Sequence, residues 1–152
     1  MKGKILTIVA ICILLSLFQF KSPYGSSYTL EGELYPLMEP HGHISINNSI
    51  EFVNMASAEV WPGSGTPGDP IIISGYQIDA EGGPFGIYIA NTTINFVLRG
   101  CSVNNTRYVS EPYNVGAGVH LHNVSNCTVS DVEVSNCDVG ILYNVGEGDL
   151  EV

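Results

Sequence analysis

Basic residues are scarce. The 152-residue chain has 5 Lys and Arg against 15 Asp and Glu, a formal charge of −10 at pH 7. Lys2, Lys4 and Lys21 flank one apolar run near the start, so beyond Lys21 only Arg99 and Arg107 oppose all the acids. A surface this acidic repels phosphate, which argues against nucleic acid or an anionic membrane surface as a partner. Charge of either sign is thin: 13% of residues are charged, against about 25% in a typical soluble domain. A spanning helix needs roughly 20 apolar residues. The run Ile5 to Phe20 has 16, broken by Thr7, Ser16 and Gln19. Of the 4 cysteines, Cys12 lies in that run, and no Cys-x-x-Cys occurs. The odd remainder, Cys101, Cys127 and Cys137, does not make a disulfide framework.

Hydrophobic residues reach 45%, too many for a disordered chain. Gly 17 and Pro 8, with many Asn, Val and Ile, favour strands and turns over helices. The length suits one domain. Lys2 and Lys4 ahead of the apolar run give the pattern of a secretory signal peptide, with Gly25-Ser26-Ser27 as its small-residue site. Residues 1–27 are therefore read as a signal peptide or N-terminal anchor, and residues 28–42 as a linker. The expected location is secreted or cell surface, with membrane contact only through an uncleaved first segment. Five sequons suit that route: the glycosylation candidates are Asn47, Asn91, Asn104, Asn123 and Asn126.

Residues 43–152 are cyclic. Apolar pairs spaced two apart mark one strand face. Ile71 and Ile73 are followed by Tyr76 and Ile78, Phe96 and Leu98 by Cys101 and Val103, and Cys127 and Val129 by Val132 and Val134. The offset is five residues each time. A third pair closes each cycle: Ile87 and Ile89, Val119 and Leu121, Ile141 and Tyr143. Three short strands per turn, stacked on like strands of the next turn, describe a solenoid with a continuous core. Cys101 and Cys127 then point inward as small core residues, and Cys137 sits in a turn; a Cys127–Cys137 bond stays open. Asn91, Asn104, Asn105, Asn123, Asn126, Asn136 and Asn144 recur at bends, which Asn tolerates, and stacked Asn side chains can form ladders. Asn48 with Glu51 three later starts a helix over residues 50–58, expected to turn Ile50, Val53 and Ala56 to the core as a lid on the first turn.

The segments Gly-Ile-Tyr-Ile-Ala-Asn (86–91), Gly-Val-His-Leu-His-Asn-Val-Ser-Asn-Cys-Thr-Val (118–129) and Gly-Ile-Leu-Tyr-Asn (140–144) resemble right-handed parallel β-helix repeats. They are similar to NosD-like repeats of archaeal and bacterial surface proteins, in the pectate-lyase-like superfamily. The stretch Trp61 to Tyr76 resembles that superfamily's opening segment. The resemblance implies an all-β, right-handed parallel β-helix with a short N-terminal capping helix. It says little of function, since the superfamily holds lyases, hydrolases, adhesins and accessory proteins.

The variable stretches 79–86 and 104–118 are where a solenoid builds its binding face. They bring forward Asp79, Glu81, Arg107, Tyr108, Glu111 and Tyr113, with Tyr88 on the neighbouring turn, as a ligand rim. Rings stack on sugars and carboxylates accept hydroxyl hydrogens. His120 and His122 point outward on one strand about 7 Å apart, a pair that needs a third ligand to hold Zn²⁺ or Cu²⁺. The default is a surface histidine pair, with no cofactor. Asp131 and Glu133 share an outward face without building an acidic stack. The lyase and glycosidase patterns of the superfamily are missing, and only Asp79, Glu81 and Glu111 could converge for catalysis.

These residues describe an exported non-catalytic module for surface architecture or recognition of a glycan or surface protein. The rivals are a carbohydrate-active enzyme with its cleft at 104–118, and a metal accessory protein using His120 and His122. Leu150 and Val152 begin a new first pair without a capping unit, and Glu147, Asp149 and Glu151 add negative charge there. The expectation is a piece of a longer repeat protein, or an end-to-end contact with another chain.

Overall fold

The computed structural model describes residues 27–30, 33–109 and 115–145. The fold is mostly β with parallel sheets. Strands β1 (Ser27–Leu30) and β2 (Glu33–Pro36) pair antiparallel. There follow β3 (Glu39–His41), β4 (Ile44–Ile46), helix α1 (Ser49–Ala58), β5 (Ile71–Ser74), β6 (Tyr76–Asp79), β7 (Phe85–Thr92), β8 (Phe96–Asn104), β9 (Ala117–Val124), β10 (Cys127–Ser135) and β11 (Val139–Asn144). One parallel sheet runs β10-β8-β6-β3, with β5 also on β8; the other runs β11-β9-β7-β4. The expected signal segment lies outside the described residues, apart from Ser27. No helix among the described residues is long and apolar enough to cross a membrane.

The apolar pairs stack in register. Ile71 aligns with Phe96 and Phe96 with Cys127, while Ile78, Val103 and Val134 align in the same way. In the second sheet Ile44, Ile87, Val119 and Ile141 form one column, and Ile46, Ile89, Leu121 and Tyr143 the next. These residues meet in one core, in which Ile44, Ile73, Ile78, Ile87, Ile89, Leu98, Cys101, Val103 and Val119 are fully buried. Each such side chain contributes about 1.5–3 kcal/mol when removed from water, and residues of both parallel sheets and of α1 share in covering it. Strands β10 and β11 lack a described neighbour on one side, so Ile141 and Tyr143 stay 49% and 54% exposed. The facing still alternates on β10: Val132 and Val134 are half-buried, Asp131 and Glu133 exposed. Leu150, Val152 and the acids near them lie outside the described residues.

The first two strands of a cycle run on as one bent strand in β8 and β10. The bend is a single residue with positive φ, Gly100 (φ 56°) or Asp131 (φ 51°), with Gly75 (φ 78°) between β5 and β6. A left-handed residue flips the side-chain alternation, so pairs on both sides of the bend face inward. Pairing resumes at once after it. Elsewhere asparagine takes this conformation, as at Asn91, Asn105, Asn123, Asn126 and Asn136. Its side chains link the turns. Asn123 Nδ2 donates to Asn91 Oδ1 at 3.0 Å, and Asn91 Nδ2 to the Asn47 carbonyl at 3.3 Å. On another corner Asn136 Nδ2 donates to Asn105 Oδ1, and Asn105 Nδ2 to both Asp79 oxygens at 3.0 Å.

Asn48 caps α1: its Oδ1 accepts from the Ile50 and Glu51 N–H groups at 3.0 Å. Glu51 accepts from the Asn47 backbone N–H at 2.8 Å and from the Asn47 and Asn48 amides. The Asn47 N–H, followed by the Asn47 amide, holds the Glu51 carboxyl below its usual range. The buried face differs from the expected one. Phe52 and Ala56 are buried, whereas Ile50 and Val53 are 75% and 54% exposed. The aromatic ring decides the phase: Phe52 reaches Phe96 (5.1 Å) and Trp61 (6.2 Å) across the end of the core. Residues 28–42, read as a linker, carry β1, β2 and β3. The pairing of β3 with β6 uses backbone groups, such as Glu39 N–H to Gly75 O at 2.7 Å, and needs no apolar alternation to announce it.

The glycine of the Gly-Ile-Tyr-Ile and Gly-Val-His-Leu segments is explained by close approach. A Cβ on Gly86 would sit 2.2 Å from Val103 Cγ1, and one on Gly118 would sit 2.4 Å from Val134 Cγ1; Gly140 has open space. Gly86→Ala should therefore cost about 1–3 kcal/mol by overpacking. Gly140→Ala should be neutral or stabilising by up to about 1 kcal/mol. Denaturant midpoints compare them, and equal losses would contradict the packing described.

Candidate functional site

After β8 the chain is held against the preceding turn. Ala80 N–H donates to Asn104 O (2.9 Å), Gly82 N–H to Asn105 O (2.7 Å) and Arg107 N–H to Gly83 O (2.9 Å). The buried Thr106 hydroxyl donates to Gly116 O at 2.8 Å and ties together the two ends of the insert. The Tyr108 N–H donates to the Asp138 carboxylate on the following turn. Between these segments lies an open cleft of about 360 Å³, lined by Thr106, Arg107, Tyr108, Asn136, Cys137 and Asp138.

The expected rim is brought together only in part. Arg107 and Tyr108 line the cleft. Glu111 and Tyr113 lie outside the described residues. Asp79 ends β6 and Glu81 follows it, beside residues 104–107, where they line a structural turn. The Glu81 N–H donates to Asp79 Oδ1 at 2.9 Å, Asn105 binds both Asp79 oxygens, and these bonds, the Glu81 N–H foremost, hold the Asp79 carboxyl below its usual range. Phe85, in the stretch 79–86, is buried and stacked on Tyr88 at 5.0 Å. Tyr88 lies on β7, where its ring meets His120 at 5.1 Å. Asn136, Cys137 and Asp138 are lining residues that the sequence did not single out; the signal is the connection between β10 and β11, which parallel pairing puts next to residues 104–109. Cys101, Cys127 and Cys137 are free thiols.

The histidine pair differs from the expected exposed one. His120 and His122 face outward on β9 with centroids 6.3 Å apart, but His120 is only 8% exposed. Its Nε2 meets Asn144 Oδ1 at 3.0 Å, and its Nδ1 is buried without a hydrogen-bond partner. Burial pushes its pKa down, the Asn144 bond opposes that, and His122 adds to it. Among the described residues no three His, Cys, Asp or Glu side chains converge as a metal site. At four of the five sequons the amide nitrogen is taken up inside the fold: Asn47 by Glu51, Asn91 by Asn47 O, Asn123 by Asn91 and Asn126 by Thr93 O. Asn104 is half-buried, and its Oδ1 has no partner. A glycan on any of the four would displace a bond between elements.

No family model, curated protein or solved structure matches the chain.

The lowered pKa of His120 sets the sign of its pH dependence. The neutral form is favoured in the folded state, so its contribution is full above the unfolded value near 6.5 and falls as acid protonates it. The denaturation midpoint should drop between pH 7 and pH 5. His120→Gln should flatten that drop, and an unchanged pH profile in the variant would assign the effect elsewhere.

Proposed function

We propose that the chain is an exported, non-catalytic module, a right-handed parallel β-helix of the NosD-like kind with three short strands per turn, that recognises a glycan in surface architecture. The fold reading is supported by the in-register columns and by the repeated one-residue corner. Export is supported by the charged start and apolar run of residues 1–27. The observation that carries the functional reading is the cleft, where an aromatic ring, a guanidinium, an amide and a carboxylate gather on the corner whose loops vary in length. Sugars are held by such a mixture of stacking surface and hydrogen-bonding groups.

The non-catalytic reading is supported by how Asp79 and Asp138 are used. Catalysis of glycosidic cleavage needs two carboxylates, or a carboxylate and a base, at one bond. Asp79 is engaged by Asn105 and the Glu81 N–H, and Asp138 by the Tyr108 N–H. The metal accessory reading needs a third ligand at His120 and His122, and His120 Nε2 is already bonded to Asn144. The acid excess argues for a partner other than nucleic acid.

A glycan array probed with the full chain, with and without divalent metal, tests the reading. The expected result is metal-independent binding to a subset of glycans with no new reducing ends. Release of reducing ends would establish the enzyme instead. Binding seen only with metal would establish the accessory role.

A further inference from the structure

This inference rests on the glycan reading and names the chemistry of the ligand. We propose that the cleft between residues 106–108 and 136–138 takes a saccharide bearing one isolated carboxylate, anchored by the Arg107 guanidinium, with the Asp138 carboxylate accepting from a neighbouring hydroxyl.

In a chain with three acids for each base, an arginine ordinarily finds a carboxylate at pairing distance. Arg107 does not: among the described residues the ion pair formed is His41 with Glu59, and the Arg107 side chain has no hydrogen-bond partner. Asp138 lines the same cleft, yet the two do not meet. Their backbones explain why. Arg107 is fixed to the preceding turn by its N–H bond to Gly83 O, and its Cδ lies 4.0 Å from where a Cβ on Gly82 would be. Asp138 is fixed from the following turn by the Tyr108 N–H. A cation and an anion that line one cleft of about 360 Å³ without forming an ion pair suit a ligand with an acceptor for one and a donor for the other. That volume lies within the roughly 300–1,000 Å³ of small-molecule sites.

A carboxylate matches the guanidinium fork in bidentate geometry, and sugar hydroxyls supply donors for Asp138. One carboxylate is the limit, because a polyanion would be repelled by the rest of the surface. Arg99 is the internal control. It is equally unpaired and exposed on β8, but it lines neither this cleft nor the cavity beside Asn91 and Asn123.

The test is titration of the full chain with a neutral glycan ending in one uronic acid, and with the same glycan after reduction of the carboxyl to an alcohol. The acid form should bind at least tenfold more tightly, the scale of a lost charge-assisted bond. Arg107→Gln should erase the difference, Arg107→Lys should keep part of it, and Arg99→Gln should leave it intact. Asp138→Asn, which retains an acceptor for the Tyr108 N–H but loses the second carboxylate oxygen, should weaken the reduced glycan several-fold. The reduced ligand makes the result independent of any variant's folding. Equal binding of the two glycans overturns this inference and leaves the glycan reading standing. Failure of every glycan, acidic or neutral, on the array and in titration overturns the reading itself.

Discussion

One left-handed residue at each bend is the constraint on which the rest of the structure depends. A strand alternates its side chains, so a chain that turns without correction would present the wrong face after the turn. A single residue with positive φ restores the facing. Leu98 points inward, Arg99 outward, Gly100 turns, and Cys101 is inward again. The same event recurs at Asp131 directly beside it, so backbone pairing closes on both sides of the bend. Aspartate there shows that the backbone conformation, not the glycine, is what repeats. Once facing is restored the apolar pairs stack, and burial of Ile, Val and Leu supplies the stability that no single turn could generate.

Asparagine does two jobs in this arrangement. It accepts the left-handed conformation with little strain, and its amide then points along the stack to the next turn. The Asn123–Asn91–Asn47 and Asn136–Asn105–Asp79 runs are hydrogen-bonded chains in which each amide donates down one turn. Such a ladder links neighbouring strands and sets their register at the surface, where apolar packing is weakest. It also explains why sequons abound in a chain whose amides are engaged. The Asn-x-Thr and Asn-x-Ser patterns arise from turn chemistry, with Ser49 sharing a hydroxyl bond with Thr92 and Thr106 donating its hydroxyl to Gly116 O.

The columns were legible because period-two alternation and a five-residue offset are properties of sequence alone. Strand facing on β10 could be read from Val132 and Val134 without knowing their partners. The helix phase could not. Ile50 and Val53 are as apolar as Phe52, and the choice between faces depends on Phe96 and Trp61, which lie far along the chain. β3 was invisible because Glu39–His41 pairs through backbone groups. At the candidate site, Arg107 and Tyr108 were legible as polar and aromatic residues in a long insert. Asp138 was not, because its relevance comes from a neighbour on the previous turn, and a sequence position does not announce which loop stacks on which. His120 was misread as exposed for a related reason: alternation says which side a residue faces, not whether Tyr88 and Asn144 crowd that side.

The three kinds of connection between strands differ in how much they leave free, and the proposed site falls at the freest of them. At the first corner one residue, Gly75, Gly100 or Asp131, turns the chain, with no room for insertion. At the second, the Asn91 and Asn123 ladder is followed by a nearly constant stretch to the next strand, since Ile71 and Phe96 must remain in register. At the third, the ladder through Asp79, Asn105 and Asn136 fixes only where the chain leaves the strand. The return is fixed separately, by Ala117 N–H to Pro84 O and Val139 N–H to Gly116 O. Between those two anchors the length is unconstrained, and residues 80–84, 106–116 and 137–138 differ in length on successive turns. A long insert above a short one leaves a gap, and the side chains on its two walls come from different turns. Arg107 is held by its backbone bond to Gly83, and the Asp138 carboxylate by the Tyr108 N–H across the gap, so the two line the cleft without forming an ion pair. The cleft is thus a geometric consequence of stacking unequal loops on equal strands.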